Sequence, residues 1–158
     1  MTSMHGSHAG TARDSYRRFG IELAIEFVIM YLVMYTMIAT LDDFRLNLNN
    51  VYMTLMMVAP MAVVMLVAMR SMFPSRRVNS IVIAVAVLAF AASFAAMRTQ
   101  AAVGDREFLR SMIPHHSGAI LMCREAAISD PEIVALCRQI VESQRKEIAQ
   151  MNAILMRR

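Results

Sequence analysis

The sequence predicts an all-α protein, with three transmembrane helices followed by an extramembrane two-helix hairpin. Three observations carry that prediction. The 158-residue chain is 58% hydrophobic and 18% charged, against about 45–50% and ~25% in an ordinary soluble domain. Its apolar residues gather into three runs, 21–41, 51–69 and 78–97, each close to the ~20 residues a helix needs to cross a hydrocarbon core. Beyond them, apolar residues recur at helical spacing, and no segment alternates as a strand would. The same composition excludes a disordered chain and, with 2 Cys, a disulfide scaffold. What remains outside the membrane is too short for a large soluble catalytic domain.

The elements follow in order. Residues 1–20 form a polar N-terminal segment, 21–100 a three-helix transmembrane domain and 101–158 the hairpin domain. Helices are the natural spanning structure because they satisfy their own backbone groups. The first run starts late, exceeds an ordinary h-region and precedes no small-residue cleavage site, so it reads as a span rather than a signal peptide. Arg13, Arg17 and Arg18 precede it, and Arg70, Arg76 and Arg77 join the second and third runs. The link 42–50 carries one Arg and two Asp. The positive-inside rule then places the N-terminus and the arginine-rich link in the cytoplasm. Three crossings put the C-terminal domain outside, which in a bacterial inner membrane is the periplasm. These arginines account for much of the net charge of +4, and no basic stripe points to nucleic acid.

In the C-terminal domain Gly104 ends the third run, and Asp105 is the expected N-cap of a helix over 106–128. Ser129-Asp130-Pro131-Glu132 has capping-box spacing with proline at the first helical position. It predicts a second helix over 131–156. Pro114 removes one helical hydrogen bond and is expected to kink the first helix near Arg110.

The densest chemistry lies on these two helices. Met112 shares a helical face with His115 and His116, and Met122 and Cys123 follow two turns later. Cys137, Gln144 and Met151 recur every seven residues on the second helix. Folding about Asp130 sets Cys123 opposite Cys137, His116 towards Gln144, and Met112 towards Ile148 and Met151. Met112, His115, His116, Met122, Cys123, Cys137 and Met151 are therefore the candidate metal residues. Thioether and thiol donors select Cu(I), and the chemically similar Ag(I), while imidazole accepts copper or zinc. For the two cysteines a disulfide is the alternative outside the cytoplasm.

The run Asp105-Arg106-Glu107-Phe108-Leu109-Arg110-Ser111-Met112-Ile113-Pro114-His115-His116-Ser117-Gly118-Ala119-Ile120-Leu121-Met122 resembles the signature of the CopM-like family, domain of unknown function 305. Gln144 to Met151 resembles that family's second-helix pattern. The resemblance covers about 105–155, with Ser117 where a Gln is often found. It implies a ferritin-like helical arrangement and a part in periplasmic copper binding and resistance. It also implies Met112, His115, His116 and Met151 as metal-site residues, with Gln144 and Glu147 in support. Two helices make half of a four-helix bundle, so the fold class is a ferritin-like half-bundle completed by oligomerisation, a homodimer first.

Seventeen methionines invite a second reading. Met53, Met57, Met61, Met65 and Met69 recur every four residues, and Met30, Met34 and Met37 lie in the first run. The spacing resembles that of copper-uptake channels. A four-residue step drifts ~40° per repeat on a helix, so the row wraps around the helix and reads better as packing. Glu26, one turn inside the first run, is expected to pair with Arg70. The N-terminal Met4-His5-Gly6-Ser7-His8 resembles short copper-binding tails. No E-x-x-H di-iron motif, nucleotide loop or hydrolytic triad occurs, so the sequence reads as a non-enzyme. The expected function is a membrane-anchored protein that sequesters or passes Cu(I), touching lipid, copies of itself and a copper-delivery or efflux partner. A copper channel and a metal-free structural oligomer are the alternatives.

Overall fold

Cysteine register and proline punctuation already require the C-terminal region to fold as a hairpin, and the computed structural model, which describes residues 6–157, shows one. Helix α1 (Gly6–Val33), a short 3-10 turn η1 (Leu41–Asp43), α2 (Leu48–Ala68), α3 (Arg76–Thr99), α4 (Asp105–Glu125) and α5 (Pro131–Arg157) follow in order. No strand occurs among the described residues. The chain divides into two compact units. One holds α1 through Tyr31 together with Val51–Thr99; the other holds Leu32–Asn50 and the chain from Gln100 onward.

The first unit is apolar, with a small packed centre. Phe19, Ala62, Leu66 and Phe73 are buried together, and Leu23, Met65, Val82 and Ile83 pack on them. Phe19 and Tyr16 set their rings 5.3 and 5.2 Å from Phe73. The Tyr16 hydroxyl donates to Asn79 Oδ1 at 2.8 Å and accepts from the Ser75 amide. Ser75 Oγ in turn accepts the Val78 amide, capping the first turn of α3. These bonds satisfy backbone groups that the turn between α2 and α3 would otherwise leave open.

Two helices, α2 and α3, are long and apolar enough to cross a membrane. The expected third span is corrected. The run 21–41 is not one helix, because α1 stops at Val33 and turns follow through Met37. Its helical apolar part, 21–33, is short of the spanning length and carries Glu22 and Glu26. Glu26 is not paired with Arg70, which is exposed; Glu26 Oε2 is buried without a hydrogen-bond partner. Of the methionine row, Met53, Met57 and Met61 on α2 and Met69 in the turn beyond it are exposed, and Met65 packs against the centre. Met4 and His5, and the side chain of His8, lie outside the described residues.

The second unit is built on the antiparallel pair α4 and α5. Leu109, Ile113, Ile120, Ile148 and Met151 form its core, with Met112, Val141, Ile154 and Leu155 against it. Ile113 is fully buried. Three local expectations change. Helix α3 ends at Thr99, before Gly104, through Gln100 and Ala102, both in the left-handed region at φ 51° and 57°. Gly104 rather than Asp105 is the N-cap of α4, and Asp105 joins Glu107 in its first turn, where acids favour the helix dipole. α5 is capped by Asp130, whose Oδ1 accepts the Glu132 and Ile133 amides, and not by a Ser129–Glu132 box. Pro131 does take the first helical position, and α4 continues through Pro114.

The link 34–47 is not a solvated connection. Tyr35 is buried, sets its ring 4.3 Å from that of Phe44 at a tilt of 45° and donates its hydroxyl to the Arg45 carbonyl. Arg45 reaches Asn152 on α5 at 3.0 Å. Asn47 accepts the Asn50 amide and so caps α2. The strongest anchor is Ser117, fully buried in α4. Its hydroxyl donates to Asp43 Oδ2 at 2.6 Å and accepts the Ala39 amide at 2.7 Å. Thr40 donates to the same carboxylate oxygen. Gly118 beside it leaves room for this strap, since a Cβ there would lie 3.3 Å from the Met37 carbonyl.

Candidate metal centre

An imidazole in the middle of an apolar hairpin must place both ring nitrogens. His116 does so with groups from both helices. Its Nδ1 faces the Met112 carbonyl at 2.8 Å, one turn back on α4. A carbonyl only accepts, so Nδ1 carries a proton. Its Nε2 lies 2.7 Å from Glu147 Oε2 on α5. Glu147 is the more exposed partner. Its other oxygen accepts the Ser143 hydroxyl at 2.6 Å. That hydroxyl, and then His116, hold the Glu147 carboxyl below the usual carboxylate range.

The sign of the resulting pH dependence follows. A group whose folded pKa is depressed stabilises the fold above its ordinary titration range and stops doing so as pH falls through the lower folded value. Stability of the hairpin is therefore expected to fall as pH drops below about 4.5, where unfolded glutamate begins to take up protons. Unfolding curves between about pH 6 and 3 check this. A steeper acid loss in the native chain than in Glu147→Gln is the expected result, and parallel curves would contradict it.

The same geometry is a common preparation for metal ligation. A backbone carbonyl on one ring nitrogen fixes the tautomer and leaves the other nitrogen to bind. Met112 is one turn before His116, and Met151 one turn after Glu147, so in the antiparallel hairpin both methionines lie towards the same end of the pair, in the core. His116 thus faces Glu147 rather than the expected Gln144. His115 is exposed, its ring 6.1 Å from that of His116. Met122 is 54% exposed and apart from the core. Cys123 and Cys137 form a disulfide, the alternative that the spacing left open. As a disulfide they offer no thiolate ligand, which corrects their place among the metal candidates. No cluster of three or more His, Cys, Asp or Glu side chains suited to a metal occurs among the described residues. A site here has to draw on methionine sulfur.

An apolar helical unit joined to a disulfide-clasped hairpin, with one buried histidine held between its helices, defines a class of small α-helical proteins with a membrane-compatible part. The chain belongs to the family described as Domain of unknown function (DUF305), whose model matches residues 76–155. That match begins at the first residue of α3, well before the 105–155 region in which the resemblance was legible. A relative is the uncharacterized protein L153 of Acanthamoeba polyphaga mimivirus. It is 37% identical over 118 residues, covering 73% of this chain and 76% of that protein. No solved structure matches.

Proposed function

We propose that this is a membrane-anchored copper-binding protein whose helical hairpin sequesters or passes Cu(I) through soft donors centred on His116. One observation carries the reading: a buried imidazole with Nδ1 tied to a backbone carbonyl and Nε2 turned to Glu147, with Met112 and Met151 in the core one turn away along the hairpin. Loss of the Nε2 proton frees an aromatic nitrogen donor. The two thioethers favour Cu(I) or Ag(I) over Zn²⁺.

The membrane part of the proposal rests on α2 and α3, whose apolar residues are mostly exposed, as lipid-facing positions are. With two spans, the orientation no longer follows from counting three crossings. Arg70, Arg76 and Arg77 between α2 and α3 carry it alone and put that turn in the cytoplasm. The hairpin then lies on the outer, periplasmic face, where a Cys123–Cys137 disulfide persists. A second copy, as a homodimer, is the proposed cover for exposed Ile133 and Leu136 on α5.

The test is competition for Cu(I) between the purified, non-reduced chain and a chromophoric Cu(I) chelator. Stoichiometric withdrawal of copper, unaffected by excess Zn²⁺, is expected. No withdrawal would end the copper reading.

A further inference from the structure

The Cys123–Cys137 bridge lies at the wall of a cleft of the hairpin unit, about 610 Å³ in volume. A disulfide that only staples two helices has no need of a cavity beside it. The other polar walls are supplied by α5, as Arg138, Glu142, Arg145 and Lys146. Lys146 and Glu142 neutralise each other through a 2.6 Å ion pair. Arg138 and Arg145, two turns apart on α5, make no ion pair among the described residues. The cleft therefore joins an electrophilic S–S bond, accessible from solvent at both half-buried cysteines, to two uncompensated guanidinium groups.

We infer that this cleft is a thiol–disulfide exchange site for small thiols bearing carboxylates. The inference is independent of copper binding at His116. The arginines attract the carboxylates and raise the local concentration of the negatively charged thiolate. The thiolate attacks one bridge sulfur, forming a mixed disulfide. The Cys123–Cys137 bond breaks, and its electron pair leaves on the other cysteine as a thiolate, which nearby cations stabilise. A second thiolate attacks the bound thiol's sulfur in the mixed disulfide. It forms the small-molecule disulfide and releases the second cysteine. Two thiols are oxidised by two electrons and the bridge is reduced by two, so no other reactant is needed.

The experiment uses the full, non-reduced chain in mild detergent at low salt. It is exposed to excess glutathione, 2-mercaptoethanol or cysteamine, which are anionic, neutral and cationic. Free cysteines are trapped by alkylation and counted by mass spectrometry, and rates are compared at equal thiolate concentration. Glutathione is expected to reduce the bridge roughly tenfold or more faster than cysteamine, at the low end of electrostatic rate enhancement. The preference is expected to collapse near 1 M salt, where the Debye length is about 3 Å, and in the Arg138→Ser, Arg145→Ser chain. Equal rates for all three thiols, or a glutathione preference that survives high salt, would overturn the assignment. The salt comparison needs no variant, so misfolding of the double substitution does not blunt the test.

Discussion

Ser117→Ala is expected to destabilise the hairpin unit by about 3–4 kcal/mol, in the lower half of the ~2.5–6 kcal/mol that a lost charge-assisted hydrogen bond and a newly orphaned amide cost together. The side chain lost is small and leaves little cavity, so packing is not the cause. Asp43 is buried, and among the described residues its Oδ2 accepts from Ser117 and Thr40. Removing the Ser117 hydroxyl leaves that charge with one neutral donor. It also strips the Ala39 amide of its acceptor. Both costs fall on the folded state, because water solvates both groups in the unfolded chain. Thr40→Ala is the internal comparison. Thr40 is exposed and donates at a longer 3.0 Å, so about 1 kcal/mol is expected. Denaturant titrations followed by helical circular dichroism measure both. Equal losses for the two substitutions, or a Ser117→Ala loss below about 0.5 kcal/mol, would show that the strap is not held through this carboxylate.

That strap also marks where sequence reading stopped. The hairpin was legible because its signals are local: proline at the start of α5, two cysteines equidistant from a turn, and an apolar stripe between them. Cys123 and Cys137 meet, and Met112 packs against the core cluster that includes Ile148 and Met151. The link 34–47 was not legible, since Asp42, Asp43, Arg45 and Asn47 have the composition of a solvated turn. Their partners lie far along the chain: Asp43 meets Ser117 and Arg45 meets Asn152. Nothing in local periodicity announces such pairs. The false third span has the same origin. Hydropathy sees one apolar run to Leu41, whereas the backbone leaves the helix after Val33, where Tyr35 turns in to bond the Arg45 carbonyl. Ser117 and Gly118 were the available clue. A small polar residue and a glycine directly after two histidines leave space for a close backbone approach, and the Met37 carbonyl takes it.

The adjacent histidines look equivalent in sequence, and their environments separate them. His116→Ala is expected to weaken Cu(I) binding by at least about 100-fold, the upper end of what loss of an outer-shell partner costs a metal site. His115→Ala is expected to change it by less than about threefold, well under 1 kcal/mol. His116 is 7% exposed and enters the hairpin with a fixed tautomer, set by the Met112 carbonyl. A ligand held this way binds without first losing rotamer freedom, so less of its intrinsic affinity is spent on ordering. His115 is exposed on the solvent side of α4 and has to order its own side chain on binding. Glu147→Gln separates two further roles. If Glu147 orients His116 and accepts its proton, the amide weakens binding about 10-fold and alters its pH profile, while Met112→Leu removes sulfur and leaves that profile unchanged. Equal loss from His115→Ala and His116→Ala would move the centre to the exposed face of α4. Copper would then be held by a surface pair instead of by the interior of the hairpin.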